Sequence, residues 1–218
     1  MIKAVLFDLD GTFADTAPDL ADALNRVRLE NELPALPLES VRLETSNGAH
    51  ALIRLGFGLV DTDPEFSLLK DKLLENYSNN VCQYTRLFDG MEDLLNKLDQ
   101  ENIAWGIVTN KPERFTNPLM EQLGIAERTN CIVSGDTTPH SKPHPESLLY
   151  AAKLLDLASH ECIYIGDAKR DIDAARNAGM KSLVALFGYL GPDDKPDQWK
   201  ADGLINHPMN TLSYLSDG

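Results

Sequence analysis

Residues 5–16 read VLFDLDGTFADT: an apolar run ends in two aspartates, Asp8 and Asp10, with Gly11 and Thr12 directly after them. At positions i and i+2 of an extended segment, both carboxylates can point into one crevice. Two carboxylates so placed repel, and one must take a proton or a cation must sit between them. Asp167 follows another apolar run and Asp171 comes four residues later, so a third carboxylate can join the pair. An all-oxygen set with few protein ligands and room for water suits Mg²⁺. Lys142 can balance the cluster; Pro143 keeps it extended and Pro145 can open the next helix.

A carboxylate, a divalent cation, a lysine and threonines converging on backbone N–H groups meet the needs of phosphoryl transfer. On this reading Asp8 attacks phosphorus and forms an aspartyl phosphate. Asp10 protonates the leaving alcohol and later takes a proton from the hydrolytic water. Gly11 allows a tight turn that aims N–H groups at the phosphate.

These residues need a scaffold that brings strand ends together. Apolar runs at residues 2–7, 103–108, 131–133, 162–165 and 183–186 alternate with helical spacing, as in Met91, Leu94, Leu95 and Leu98. Strands with no polar face predict an α/β fold, a doubly wound Rossmann-like parallel sheet covered by helices on both sides. Ligands bind beyond the carboxyl ends of such strands, where Asp8, Asp10, Thr109, Asn110, Lys111 and Asp167 all fall. Residues 16–84 break the rhythm with three or four amphipathic helices, including Leu20, Leu24 and Val27 and later Leu68, Leu69, Leu73 and Leu74. This predicts a helical cap at 16–84 inserted into a catalytic core made of 1–15 and 85–218. Residues 188–199 read as a surface loop before a last short strand at 203–205.

The chain has 218 residues, 43% of them hydrophobic, enough for a substantial core. Its net charge of −14, with no run of Lys or Arg, argues against a nucleic-acid partner. No apolar run is long enough to cross a bilayer, no secretory leader pattern opens the chain, and the cytoplasm is the expected location. Cys82, Cys131 and Cys162 lack any metal or redox spacing and read as buried small hydrophobes.

Four ordered motifs, D-x-D-G-T at 8–12, Thr109-Asn110, Lys142-Pro143 and G-D-x-x-x-D at 166–171, resemble those of the haloacid dehalogenase-like hydrolase superfamily. The resemblance implies an Mg²⁺-dependent phosphatase acting on a small-molecule phosphate ester, as a monomer or homodimer. It implies Asp8 as nucleophile, Asp10 as acid and base, and Thr109 and Lys142 on the phosphoryl group, with Gly11, Thr12 and Asn110 close by. Mg²⁺ would be held by Asp8, the backbone carbonyl of Asp10 and Asp167, with Asp171 next to them. The helical insert resembles the cap of the branch that includes phosphoglycolate phosphatases and β-phosphoglucomutases.

Asp10 separates the chain from true haloacid dehalogenases, which lack this second carboxylate. The phosphoglucomutases carry a Gly-x-Ser-Arg stretch where this chain has Thr45-Ser46-Asn47-Gly48-Ala49, which argues against a sugar phosphomutase, the alternative reading. Residues 46–49, VTNKPERF and SKPHPESLL resemble phosphoglycolate phosphatases. LFDGMEDLL and FGYLGPDDKPDQWKADGLINHP are similar to an offshoot acting on N-acetylmuramic acid 6-phosphate. Both substrates join a phosphate to a carboxylate. Asn47, Gly48, His50 and Arg54 are the cap candidates for substrate selection.

Other polar residues have plainer readings. Asp15, Asp19 and Asp173 read as helix-terminal charges, and Lys169 and Arg170 as solvent-facing, with a substrate carboxylate as the other partner open to either. His140 and His144 flank Lys142 but lack further ligands at metal spacing. Trp105 reads as core packing. A catalytically silent binding protein on the same fold would need a missing catalytic group, and none is missing.

Overall fold

All four residues of β1 (Ala4–Phe7) are buried, as a strand covered on both faces requires. In the computed structural model, which describes residues 1–215, β1 lies at the centre of a six-stranded sheet. Positions 216–218 of the expected core lie outside the described residues. The partners of β1 are β4 (Ala104–Val108) and β6 (Cys162–Gly166), both parallel to it. β5 (Cys131–Val133) extends the sheet beyond β4, and β7 (Lys181–Ala185) and β8 (Gly203–Ile205) extend it beyond β6, again in parallel. The order β5-β4-β1-β6-β7-β8 means that the chain builds outward on one side of β1 and then on the other. Between β1 and β6 lies the switch point at which such sheets open a crevice.

Strand alternation divides the core between the two faces. Ala4, Leu6 and Tyr164 pack with Leu148 and Ala151 of α7 (Glu146–Leu154) and with Ala174 and Ala175 of α8 (Lys169–Ala178). On the other face the Phe13 ring stacks on Trp105, with centroids 5.8 Å apart, and meets Phe7 at a tilt of 59° with centroids 5.6 Å apart. The Trp105 indole N–H donates to Asp99 of α5 (Met91–Gln100) at 3.0 Å, so this buried ring is packing with its one polar atom satisfied. α6 (Glu113–Gln122) follows β4.

The chain divides into two compact units, Met1–Ala14 with Leu87–Gly218, and Asp15–Arg86. A two-stranded sheet pairs β2 (Ala14–Asp15) with β3 (Arg86–Leu87). The second unit holds four helices, α1 (Ala17–Glu30), α2 (Leu38–Thr45), α3 (Gly48–Phe57) and α4 (Phe66–Asn79). Leu20, Leu24, Val27, Leu52, Ile53, Leu69 and Leu73 are buried in it as their spacing predicts, whereas Leu68 is exposed.

Two readings of this unit are corrected. Asp19 is no loose helix-terminal charge: it is buried and accepts from the Tyr84 amide, the Thr85 amide at 2.8 Å and the Thr85 hydroxyl at 2.6 Å. It thereby ties the first helix to the end of the same unit. Cys82 is only partly buried, unlike Cys131 and Cys162.

Candidate active site

Strands β1, β4 and β6 are in parallel register, so the residues that follow each of them emerge at one edge of the sheet. Asp8 is fixed there by its backbone, its amide donating to the Ile165 carbonyl at 2.8 Å. Its Oδ1 accepts from the Leu9 amide at 2.8 Å and from Lys142 Nζ at 2.9 Å. Lys142 has a side chain only 1% exposed and also reaches Asp171 Oδ1 at 2.8 Å and the Tyr164 hydroxyl at 2.6 Å. Burial works against the charge on Lys142, but Asp171 and Asp8 outweigh it and raise its pKa above the ordinary lysine value. The ammonium therefore stays protonated at neutral pH.

Asn110 places this lysine. Its side-chain oxygen accepts from the Lys142 amide and its side-chain nitrogen donates to the Lys142 carbonyl, both at 3.0 Å. The Asn110 side chain is thus spent on the lysine's backbone, although its own place is beside Thr109, as expected. The Thr109 amide completes the sheet edge on the Val133 carbonyl at 2.9 Å, and its hydroxyl oxygen accepts from the Lys111 amide at 3.2 Å.

Asp8, Asp167 and Asp171 each bring a carboxylate oxygen to within 4.8 Å of the others, and all three are buried. Asp167 Oδ2 accepts from the Tyr189 amide at 3.0 Å and Oδ1 from the Thr12 hydroxyl at 3.3 Å. Burial, reinforced by the charges of Asp8 and Asp171, pushes the Asp167 carboxyl up to about 7. Three buried carboxylates this close together are a set that a hard divalent cation relieves, and the residues present fit Mg²⁺. Asp10 stands apart from this trio, its carboxylate turned to Lys111 Nζ at 2.9 Å. The ligand expected from Asp10 is its backbone carbonyl, which that side-chain pair does not involve. Gly11 has φ +83°, and a Cβ there would overlap the Asp167 carboxylate and the Tyr189 ring. The turn after β1 can approach β6 this closely only with glycine.

The structure adds groups that sequence reading passed over. Tyr164 lies inside β6, where spacing marks it only as core, yet its hydroxyl donates to the Val108 carbonyl at 2.7 Å and receives Lys142. Burial, then Asp171 and Asp8, raise its pKa well above the phenol value, so it stays a neutral donor. Residues 188–199 are not merely a surface loop, because Gly188 packs on the Gly11 carbonyl and Asp167, and Tyr189 is buried beside them. Arg170 does not simply face solvent: it is half-buried, and Asp171, Asp8 and Asp167 outweigh the effect of burial on its charge. Lys169 is exposed and pairs with Asp173. No single-residue signal marks any of these, since each depends on which strand ends become neighbours.

The cap candidates lie in the other unit. Asn47 precedes α3, and Asn47, His50 and Arg54 fall on one helical face at spacings of three and four. All three are exposed, as is Gly48. Asn47 donates to Glu44 at 3.0 Å, the His50 ring lies 5.5 Å from that of Phe66, and Arg54 pairs with Asp61 at 2.9 Å. His140 and His144 do converge with Glu146, with candidate ligand atoms within 4.8 Å, which their spacing alone did not suggest. Their contacts are local: Glu146 Oε2 lies 2.7 Å from His140 Nδ1, and the Glu146 amide donates to His144 Nδ1 at 3.3 Å.

Comparison with known proteins agrees with this geometry. The family described as haloacid dehalogenase-like hydrolase matches residues 5–185. The chain is 40% identical over 217 residues to the N-acetylmuramic acid 6-phosphate phosphatase of Pseudomonas putida KT2440, covering 98% of this chain and 96% of that protein. It is 42% identical over 206 residues to a phosphoglycolate phosphatase of Xanthomonas campestris pv. campestris, covering 94% and 93%. Among solved structures, one described as a predicted phosphoglycolate phosphatase from Haemophilus somnus superposes with a TM-score of 0.86 at 27% identity, covering 98% and 97%.

Proposed function

The chain belongs to the haloacid dehalogenase-like hydrolase family, and from that premise we propose that it hydrolyses a small phosphomonoester that also carries a carboxylate. The observation that carries this reading is the meeting of Asp8, Asp167 and Asp171 around Lys142 at the carboxyl edge of the sheet. Asp8 is the nucleophile: its Oδ1 is held by Lys142 and the Leu9 amide, which orients the carboxylate for attack on phosphorus. Lys142 neutralises charge on the transferring group, Thr109 and the Asn110 backbone supply donors to its oxygens, and Gly11 and Thr12 form the turn beside it, their amides donating to the Ala14 and Leu9 carbonyls. Asp10 passes a proton to the leaving oxygen, then takes one from the water that cleaves the aspartyl phosphate.

Asp8, Asp167 and the Asp10 carbonyl would hold Mg²⁺, with Asp171 positioning the site from Lys142 and the Ala168 amide at 3.0 Å. When bound, that ion would supply charge stabilisation to the phosphoryl oxygens. Asn47, Gly48, His50 and Arg54 of the helical unit select the alcohol. The two relatives named above act, by their names, on esters that share a phosphate and a carboxylate, which supports this substrate class. Location in the cytoplasm is part of the same proposal.

The test is phosphate release with Mg²⁺, comparing kcat/KM for 2-phosphoglycolate and N-acetylmuramic acid 6-phosphate, since that ratio measures differential transition-state binding. Asp8→Asn is expected to lose turnover by at least about a thousandfold while keeping the fold, because its side-chain oxygen still accepts from Leu9 and Lys142. Turnover retained in Asp8→Asn would point to another nucleophile. A wild-type chain that releases no phosphate from either ester would overturn this substrate class.

A further inference from the structure

Phosphoryl transfer at Asp8 engages Lys142, and the chemistry proposed above assigns nothing to a second buried lysine. Lys111 is such a lysine. Its side chain is 6% exposed, and its Nζ donates to both carboxylate oxygens of Asp10, at 2.9 and 3.3 Å. An ammonium is costly to bury, and this one is retained where it grips both oxygens of one partner. Contact with both oxygens holds the carboxylate head-on to the ammonium, which acts as a point charge.

The backbone of Lys111 is itself pinned. Its amide donates to Thr109 Oγ1 at 3.2 Å, and its carbonyl accepts from the Gly135 amide at 2.9 Å and the Thr116 hydroxyl at 3.1 Å. A Cβ at Gly135 would overlap the Asn110 carbonyl, so the turn after β5 presses against the turn after β4 with no slack. Lys111 therefore projects from one of the most constrained segments of the sheet edge, while Asp10 sits in the turn after β1. That turn is pinned as well, the Gly11 amide donating to the Ala14 carbonyl at 3.1 Å, so the ion pair joins two constrained turns at the sheet edge.

We propose that Lys111 is a positioning residue for Asp10, acting on proton transfer to the leaving oxygen and not on the phosphoryl group. This rests on the phosphomonoesterase reading above. In the first step an Asp8 oxygen bonds to phosphorus, the bond from phosphorus to the ester oxygen breaks, and the proton of the Asp10 carboxyl goes to that oxygen. Negative charge then develops on Asp10, where Lys111 already stands to stabilise it. In the second step a water oxygen bonds to phosphorus, the Asp8 bond to phosphorus breaks, and Asp10 recovers a proton from that water.

Leaving groups separate this role from a structural one. An alkyl alkoxide needs a proton as it departs, whereas p-nitrophenolate does not, and kcat/KM reports only on steps through cleavage of the ester bond. Lys111→Met is expected to lower kcat/KM for an alkyl phosphate by about 100-fold and that for p-nitrophenyl phosphate by less than about threefold. Lys111→Arg, which keeps the charge, is expected to recover most of the loss. Lys111→Gln keeps a donor to Asp10, guards against a methionine variant that does not fold, and is expected to show the same selective loss. Equal losses on both esters, or no loss on either, would overturn the inference while leaving the phosphatase reading intact. A wild-type chain inactive on both esters would overturn the two together.

Discussion

Lys142 Nζ stands 2.9 Å from Asp8 Oδ1 and 2.8 Å from Asp171 Oδ1, bridging carboxylates that follow two different strands. The bridge is buried, so removing one partner leaves the charge of the others uncompensated, and the predictions start there.

Removing the lysine leaves Asp8 and Asp171 facing each other in a low-dielectric site. Lys142→Met is expected to destabilise the chain by about 3–5 kcal/mol, the usual consequence of orphaning a buried charge, and to abolish turnover. Urea unfolding followed by circular dichroism measures the first effect. A change within about 0.5 kcal/mol would mean that the pair contributes little to folding.

Asp167 links stability to pH. Its carboxyl is raised to about 7 from an ordinary 3.8, so between those values the folded chain keeps a proton that the unfolded chain has released. This contribution to stability is full below about pH 4 and is lost as pH rises toward 7. In EDTA, the Tm of the wild type is expected to fall across this window relative to that of Asp167→Asn, which has no proton to lose. Mg²⁺ at pH 8 is expected to restore the wild-type Tm, because ionised carboxylates hold the ion. Parallel Tm curves for the two proteins in EDTA would contradict the assignment.

Asp19 anchors the helical unit to its own end. Asp19→Ala strands the buried Thr85 amide and hydroxyl, and the expected cost is about 2–4 kcal/mol. Hydrogen exchange should show the amides of Tyr84 and Thr85 losing protection first. Unchanged protection would mean that solvent or another group replaces the carboxylate.

The thiols differ in accessibility. Burial pushes Cys131 up to about 12 and Cys162 up to about 11, with smaller contributions from Cys162 and Glu161 respectively. Cys82 is only partly buried. Iodoacetamide at pH 8 is expected to label Cys82 well before the other two in the native chain, as peptide mass spectrometry would reveal. Early labelling of Cys131 would show that β5 opens.

Much of the site was legible before any coordinates, because the residue types announce their chemistry. Asp8, Thr109 and Asp167 come at the ends of apolar runs and Asp10 two residues later, and in a parallel sheet strand ends share an edge, while Lys142 is marked by the proline after it. Less legible were residues whose role depends on direction. Arg170 and Lys169 are neighbours at the start of α8, and only packing decided that one lies against the carboxylates and the other pairs outward with Asp173. Asp19 has the same signature as any first-turn carboxylate until the chain returns 65 residues later to present Tyr84 and Thr85.

The sequence by itself determined a parallel α/β core, a helical insert and a set of groups suited to phosphoryl transfer, because hydrophobic periodicity and residue chemistry are local properties. The tertiary structure alone decided that Asn110 is used to hold Lys142, that Tyr164 and Tyr189 complete the carboxylate site, and that Asp10 faces Lys111. Those pairings join residues 22 to 101 positions apart. They exist because the strand order brings particular strand ends together, and nothing within the separate segments encodes which of their side chains will meet.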